Sequence, residues 1–288
     1  MKFVFFGTPE FATIILEKLI KSGLKPQAVF RDPKESVSVL IEKLNNLKPD
    51  LAVIAAYGKI LLKEILEIPR YGFINVHPSL LPKYRGASPI QCAILNGDKE
   101  TGVTIMKIDE KMDHGPILAI SKLQITNSKI TYPELSKELA GLGAELMVKI
   151  IPDYISEKIK PVKQNHLKAT YTKIIKKEDG KIDWSRSAQD LERMTRAYYP
   201  WPSAWTTWNG KILKILEADI SKYKNNFQIG EVFLLKHPNV LRNVGMLLCV
   251  KCGIGNLIIK KLQLEGGKIL TAKEFINGHK YFVGSVLQ

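Results

Sequence analysis

The chain has 288 residues, 45% of them apolar, and carries 43 Lys and Arg against 28 Asp and Glu, a formal net charge of +15. That length suggests about two domains, and the apolar share excludes a wholly disordered chain. The longest apolar runs, such as Leu51–Ala56, fall far short of the ~20 residues a membrane span needs, so no integral membrane protein is expected. In chain order, Lys2–Phe6 is an apolar run that stops at Gly7 and reads as a buried strand, too short for a secretory leader. Glu10–Lys21 has a helical apolar face closed by Ser22-Gly23. Gln27–Phe30 reads as a strand, Glu35–Leu47 as a helix stopped by Lys48-Pro49, and Leu51–Ala56 and Phe73–His77 as further buried strands. Ser88-Pro89 opens a helix to about Leu95, with the proline in the first turn. Val103–Ile108 and Ile117–Ile125 alternate like strands, and Thr131-Tyr132-Pro133-Glu134 begins a long helix to about Glu157. Alternation of this kind predicts an α/β fold with a doubly wound, mostly parallel sheet of Rossmann type.

From about Tyr171 the pattern changes. A connector with a helix at Ser187–Ala197 leads into short strands at Ala204–Trp208, Lys211–Ala218, Gly230–Leu235, Gly245–Lys251 and Asn256–Leu264. Asn209-Gly210 between two of them is a strong hairpin signal. A small C-terminal β-barrel of oligonucleotide-binding type is the economical reading. The expected division is residues 1–170, a linker at 171–203, and the barrel at 204–288.

Charge is uneven along the chain. Residues 1–170 carry a net +6, and the shorter stretch 171–288 carries +9. Such density attracts polyanions, nucleic acid above all. Three cysteines, Cys92, Cys249 and Cys252, cannot complete a disulfide framework, which favours a reducing, cytoplasmic setting. The histidines at 77, 114, 166, 237 and 279 lack metal-ligand spacing, and Cys249 and Cys252 have no second pair, so no metal is expected. No dinucleotide fingerprint or Walker sequence is present, which counts against dehydrogenases and NTPases.

The densest polar pattern is the run from Phe73 to Gly86, FINVHPSLLPKYRG. Asn75 and His77 are two apart in an apolar strand, so they share a face that Ile74 and Val76 do not. They lie at the carboxyl end of that strand, where open α/β sheets place their ligands. Lys111-Met112-Asp113-His114-Gly115-Pro116 forms a turn between two strand-like stretches. If that turn folds against the first loop, Asp113 can orient His77.

The stretch from Asn75 to Pro82 resembles the signature of the 10-formyltetrahydrofolate-dependent formyltransferases. GTPEFA at 7–12, AAYGKIL at 55–61, KYRGASPIQ at 83–91, NGDKETGVTIM at 96–106, IDWS at 182–185 and YYPWPSAW at 198–205 narrow the resemblance to the methionyl-tRNA formyltransferases, in the right order over nearly the whole chain. The resemblance implies a catalytic trio of Asn75, His77 and Asp113, acting on 10-formyltetrahydrofolate as co-substrate and on initiator methionyl-tRNA. It implies folate contacts from Tyr57, Gly58, Lys59, Ile60 and Leu61, from Ser79, Leu80, Leu81 and Pro82, and from the stretch holding Asp109 and Met112. Arg85 would then sit near the tRNA acceptor end, and Lys211, Lys214, Lys260 and Lys261 would be candidates to grip the tRNA backbone. The expected unit is a monomer.

Members of that family usually carry a longer, basic, Gly/Pro-rich stretch between the second strand and the AAYG strand. Here Arg31 to Asp50 leaves room for one helix and its turns. Either the chain lacks the loop and a neighbouring strand–helix unit, or a segment is left out near Arg31–Pro33. The competing activity is a sugar-nucleotide N-formyltransferase with the same trio, against which IDWS, YYPWP and the basic C-terminal stretch weigh. A glycinamide ribonucleotide formyltransferase has no need of the last 118 residues. A non-catalytic tRNA-binding protein would have no use for the trio.

Overall fold

Continuous apolar runs become the centre of a sheet whose strands are buried on both faces, as parallel strands require. The computed structural model describes residues 1–236 and 246–288, so His237 and Gly245 lie outside the described residues. The chain forms two units. One holds Met1–Ala93, Asp98–Ser128 and Glu134–Ile174, and the other holds Ile94–Gly97, Lys129–Pro133 and Ile175–Gln288.

The first stretch of chain alternates β1 (Phe3–Phe6), α1 (Glu10–Lys21), β2 (Ala28–Phe30), α2 (Val37–Leu47), β3 (Leu51–Ile54), α3 (Lys63–Leu66) and β4 (Phe73–His77). A two-residue strand β5 (Arg85–Gly86), α4 (Pro89–Asn96), β6 (Glu100–Lys107), β7 (Ile117–Gln124), α5 (Tyr132–Ile155) and a second two-residue strand, β8 (Tyr171–Thr172), follow. The main sheet runs β2-β1-β3-β4-β6-β7. Its first four strands are parallel, and β6 and β7 join antiparallel, so the sheet is mixed. Every residue of β1 and β3 is buried, whereas the outer strand β7 mostly alternates half-buried and exposed positions. One apolar cluster gathers Val4, Phe6, Leu40, Leu44, Ile54, Tyr57 and Phe73. Ser36 caps α2, its hydroxyl accepting from the Val39 N–H, and a six-residue connection joins β2 to that helix.

The chain leaves β1 toward β2 on one side and returns to β3 on the other. The parallel strands therefore place Gly7, Tyr57 and His77 at one end of the sheet, beside the reversal of strand order where such folds bind ligands. β4 pairs Asn75 with Met106 and His77 with Thr104 of β6, which fixes the alternation of its faces.

The second unit holds α6 (Ala188–Ala197), β9 (Ala204–Trp208), β10 (Lys211–Ser221), β11 (Val232–Lys236), β12 (Met246–Lys251), β13 (Asn256–Leu264), β14 (Ile269–Thr271) and α7 (Ala272–Gly278). Its antiparallel sheet runs β11-β12-β13-β10-β9, with β14 paired to β13. Asn209 and Gly210 both take positive φ and turn β9 into β10, as the dipeptide foretells. Trp184, Leu191 and Met194 are buried, so residues 175–203 contribute to this unit's core. Cys249 and Cys252 are buried too, and burial pushes both thiols up to about 12. Among the described residues no helix is long and apolar enough to cross a membrane.

Candidate active site

β4 delivers Asn75 and His77 to one face at its carboxyl end, as the period of a strand requires. His77 is buried, and each of its ring nitrogens faces an acceptor. Nε2 lies 2.9 Å from the Tyr84 carbonyl, and Nδ1 lies 3.6 Å from Asp113 Oδ1. The Nε2 contact is at hydrogen-bond distance, and the Nδ1 contact is slightly longer than one. The Asn75 carboxamide, half-buried beside it, takes no hydrogen-bond partner among the described residues.

The 109–115 turn folds against the 84–86 segment. The Gly86 N–H donates to Asp113 Oδ2 at 2.7 Å, which leaves Oδ1 toward His77. Asp113 itself holds φ +47°, a left-handed conformation that Asp tolerates better than most residues. Gly115 follows because a Cβ there would meet the Lys107 carbonyl at 1.9 Å. Gly86 has φ +108°, and a Cβ on it would fall 2.4 Å from the Thr172 carbonyl.

Thr104 ties down the next loop. Its hydroxyl donates to the Ser79 carbonyl at 2.7 Å and accepts from the Leu81 N–H at 3.1 Å. Ser79 Oγ donates to the Lys83 carbonyl, and the Leu81-Pro82 peptide is cis. Lys83 in turn donates to Asp98 at 2.7 Å. Partial burial opposes its charge, but the hydrogen bonds to Asp98 and Tyr84 carry its pKa above the usual lysine value.

The Tyr57–Leu61 stretch follows β3. The Tyr57 hydroxyl donates to the Asp32 carbonyl at 2.8 Å, and Lys59 donates to the Glu35 carbonyl. Burial, then the charges of Glu35 and Asp32, raise the Tyr57 pKa. Ile60 stands 70% exposed and Met112 54% exposed, while Leu61 is buried. A cleft of about 600 Å³ opens beside Ile60 and Leu61, rimmed by Glu64, Glu67 and Glu110. None of Asn75, His77 and Asp113 lines it. Asp109 is already engaged by the Lys111 N–H and by His114, whose Nδ1 lies 2.6 Å away.

Arg85 does not stand in solvent as a loop charge. It is 1% exposed, and its guanidinium donates to Gln164 Oε1 and His166 Nδ1. The reason is β8, which pairs with β5 and draws the chain after α5 over the arginine. The lysines of the second unit divide into two kinds. Lys260 pairs with Asp219 and Lys261 with Glu217, whereas Lys211 and Lys214 have no ion pair among the described residues. No group of three or more His, Cys, Asp or Glu side chains among the described residues is arranged to hold a metal.

Sequence reasoning singled out neither Thr104 nor Gln164. Thr104 sits inside an alternating strand where it reads as an ordinary polar position, and Gln164 is a lone amide in a polar connector with no spacing to mark it.

Residues 19–151 match the family description "Formyl transferase", and residues 174–280 match "Formyl transferase, C-terminal domain". The methionyl-tRNA formyltransferase of Caldicellulosiruptor saccharolyticus is 39% identical over 321 aligned positions, covering 100% of both chains. That alignment is longer than this chain's 288 residues. Among solved structures, a methionyl-tRNA formyltransferase from Clostridium thermocellum aligns with a TM-score of 0.61 at 19% identity, over 86% of this chain and 99% of that one. HypX from Aquifex aeolicus in complex with tetrahydrofolic acid gives 0.71 at 17% identity, over 97% of this chain and 48% of that one. This chain thus spans about half of HypX, and both structural likenesses are of fold alone. With both halves matched and such identity to a relative over its whole length, the chain belongs to the methionyl-tRNA formyltransferase family.

Proposed function

We propose that the chain transfers the formyl group of 10-formyltetrahydrofolate to the α-amino group of methionyl-initiator tRNA. The observation that carries this reading is the Asp113 carboxylate against buried His77, beside an Asn75 carboxamide with no hydrogen-bond partner among the described residues. The methionine amine attacks the formyl carbon, and negative charge builds on the formyl oxygen. Asn75 donates its amide N–H to that oxygen, and a doubly protonated His77 sets positive charge beside it. Such preorganised donors act where charge develops, and losing one typically costs ~10²–10³ in rate. Asp113 holds His77 and, through water, accepts the proton that the attacking amine must shed. The bond from carbon to N10 of the folate then breaks, and N10 takes up a proton in its place. The products are formylmethionyl-tRNA and tetrahydrofolate.

The donor lies along the Tyr57–Leu61 backbone, the Ser79–Pro82 loop and the turn holding Asp109 and Met112. The exposed side chains of Ile60 and Met112 gain burial when it binds. Residues 204–288 act as a barrel of oligonucleotide-binding type, and Lys211, Lys214, Lys260 and Lys261 meet the tRNA backbone. Such contacts give affinity and salt dependence rather than sequence choice. The enzyme works as a cytoplasmic monomer.

The test offers 10-formyltetrahydrofolate with charged methionyl-initiator tRNA and, separately, an amino-sugar nucleotide. Formylmethionyl-tRNA forms and the sugar stays unmodified on this reading. Transfer to the sugar alone would overturn the tRNA assignment and leave the trio's chemistry standing.

A further inference from the structure

Between the two stretches matched to the formyl transferase descriptions lie residues 152–173, which neither covers. Their polar side chains are not idle. Gln164 is buried, and both amide hydrogens go to the catalytic turn. Its Nε2 donates to the Asp113 carbonyl at 2.9 Å and to the Gly115 carbonyl at 2.7 Å. Its Oε1 accepts twice from Arg85, from Nε at 3.2 Å and Nη2 at 2.7 Å. Both donors and both lone pairs of that amide are therefore in use.

Arg85 makes the clamp stiff. It ranks among the largest fully buried side chains, and among the described residues no carboxylate pairs with it. A buried charge of this kind must be met by hydrogen bonds, and Gln164 Oε1, His166 Nδ1 and the Tyr171 hydroxyl meet it. Its own backbone is held by the Thr170 carbonyl and the Thr172 hydroxyl. Charge-assisted bonds to Oε1 polarise the Gln164 amide, which strengthens its donation to the turn. The same tripeptide reaches the chemistry by two other routes, since the Tyr84 carbonyl faces His77 Nε2 and the Gly86 N–H holds Asp113 Oδ2.

We infer that Gln164, braced by Arg85, is a positioning residue for the Asp113 carboxylate. It fixes the main chain on both sides of a residue in a left-handed conformation, and so sets the direction of Oδ1 toward His77 Nδ1. Arg85 acts within the fold and not as a direct grip on tRNA. The inference rests on the proposed role of Asp113.

The experiment compares Gln164→Met with the native enzyme, using 10-formyltetrahydrofolate and charged methionyl-initiator tRNA, alone and in an Asp113→Asn background. We expect kcat to fall ~10–100-fold with KM for both substrates within about threefold, as for other losses of supporting contacts around a reacting group. In the Asp113→Asn background the same substitution adds less than about twofold, because the group it positions is gone. Gln164→Glu keeps the pairing with Arg85 and loses the donation to the two carbonyls, so it serves where the Met variant does not fold, with the same expectation. Folded variants that keep native kcat would overturn the inference while Asp113→Asn still fails. Equal losses in the native and Asp113→Asn backgrounds would overturn it too, by showing an effect that does not pass through Asp113. If Asp113→Asn itself turns over normally, the proposed role of Asp113 falls and this inference falls with it.

Discussion

The floor of the site and its rim are built on opposite principles. In the floor, the turn at Asp113, the 84–86 segment and Gln164 form a linked set of hydrogen bonds beside His77, and the Asn75 carboxamide has no partner among the described residues. Along the rim, Ile60 and Met112 stand in solvent with large apolar surfaces. The difference teaches where each region's free energy is used. The floor is preorganised before substrate arrives, which favours the chemical step. The rim has apolar surface left to bury, which would favour binding of the proposed donor.

Substitutions can separate the two. The largest effect is expected at Asn75→Ala, with a ~10²–10³-fold fall in kcat. Thermal melting alongside single-turnover kinetics should show an otherwise native protein. Activity near the native value would mean that the chemistry lies elsewhere. Gly86→Ala attacks the framework of the floor. The new methyl would overlap the Thr172 carbonyl at φ +108°, so urea unfolding should reveal a loss of about 2–3 kcal/mol together with impaired turnover. Unchanged stability would show that β5 and β8 can part at no cost. At the rim, Ile60→Ala should raise KM for the folate donor roughly fivefold and leave kcat and stability alone. A fall in kcat instead would erase the distinction between rim and floor.

The second unit supplies the reference. Asp219 lies below the usual carboxylate range, at about 2. Burial opposes the shift, and hydrogen bonds from Lys129, the Ile220 N–H and Lys260 produce it. Its folded value is below its unfolded one, so its contribution is complete above the unfolded pKa and is lost as pH falls toward about 2. Partial exposure and screening reduce it to about 1 kcal/mol. Asp219→Asn should therefore be less stable than the native protein at pH 7, with the gap closing on acidification. A gap independent of pH would assign the loss to packing.

Much of the floor could be read from residue order because its logic is local. The period of a strand alone puts Asn75 and His77 on one face, and continuous apolar runs mark β1 and β3. Asn209-Gly210 announces its hairpin through two positive φ values. What was not legible depends on distant partners or on very short elements. α3 has four residues, too few to express a helical period, and β5 and β8 have two each. Arg85 is expected near the tRNA acceptor end, and nothing in the residue order shows that Gln164, far along the chain, closes over it. The helix α7 did carry a local sign, since Thr271 and Glu274 form a capping box, but the preceding Gly-Gly turn draws attention to strands.

The pairing of β5 with β8 also bears on how this protein can be divided. A fragment cut where the first matched stretch ends, at residue 151, would keep Asn75, His77 and Asp113 and still lack the amide that steadies the last of them. It would also expose a bare guanidinium and the unpaired edge of the 85–86 segment. The smallest catalytic module that could be exchanged between relatives therefore runs through Lys173, whose carbonyl accepts from Ser88. A chimaera joined upstream of Gln164 would combine a turn and a clamp that had not evolved together.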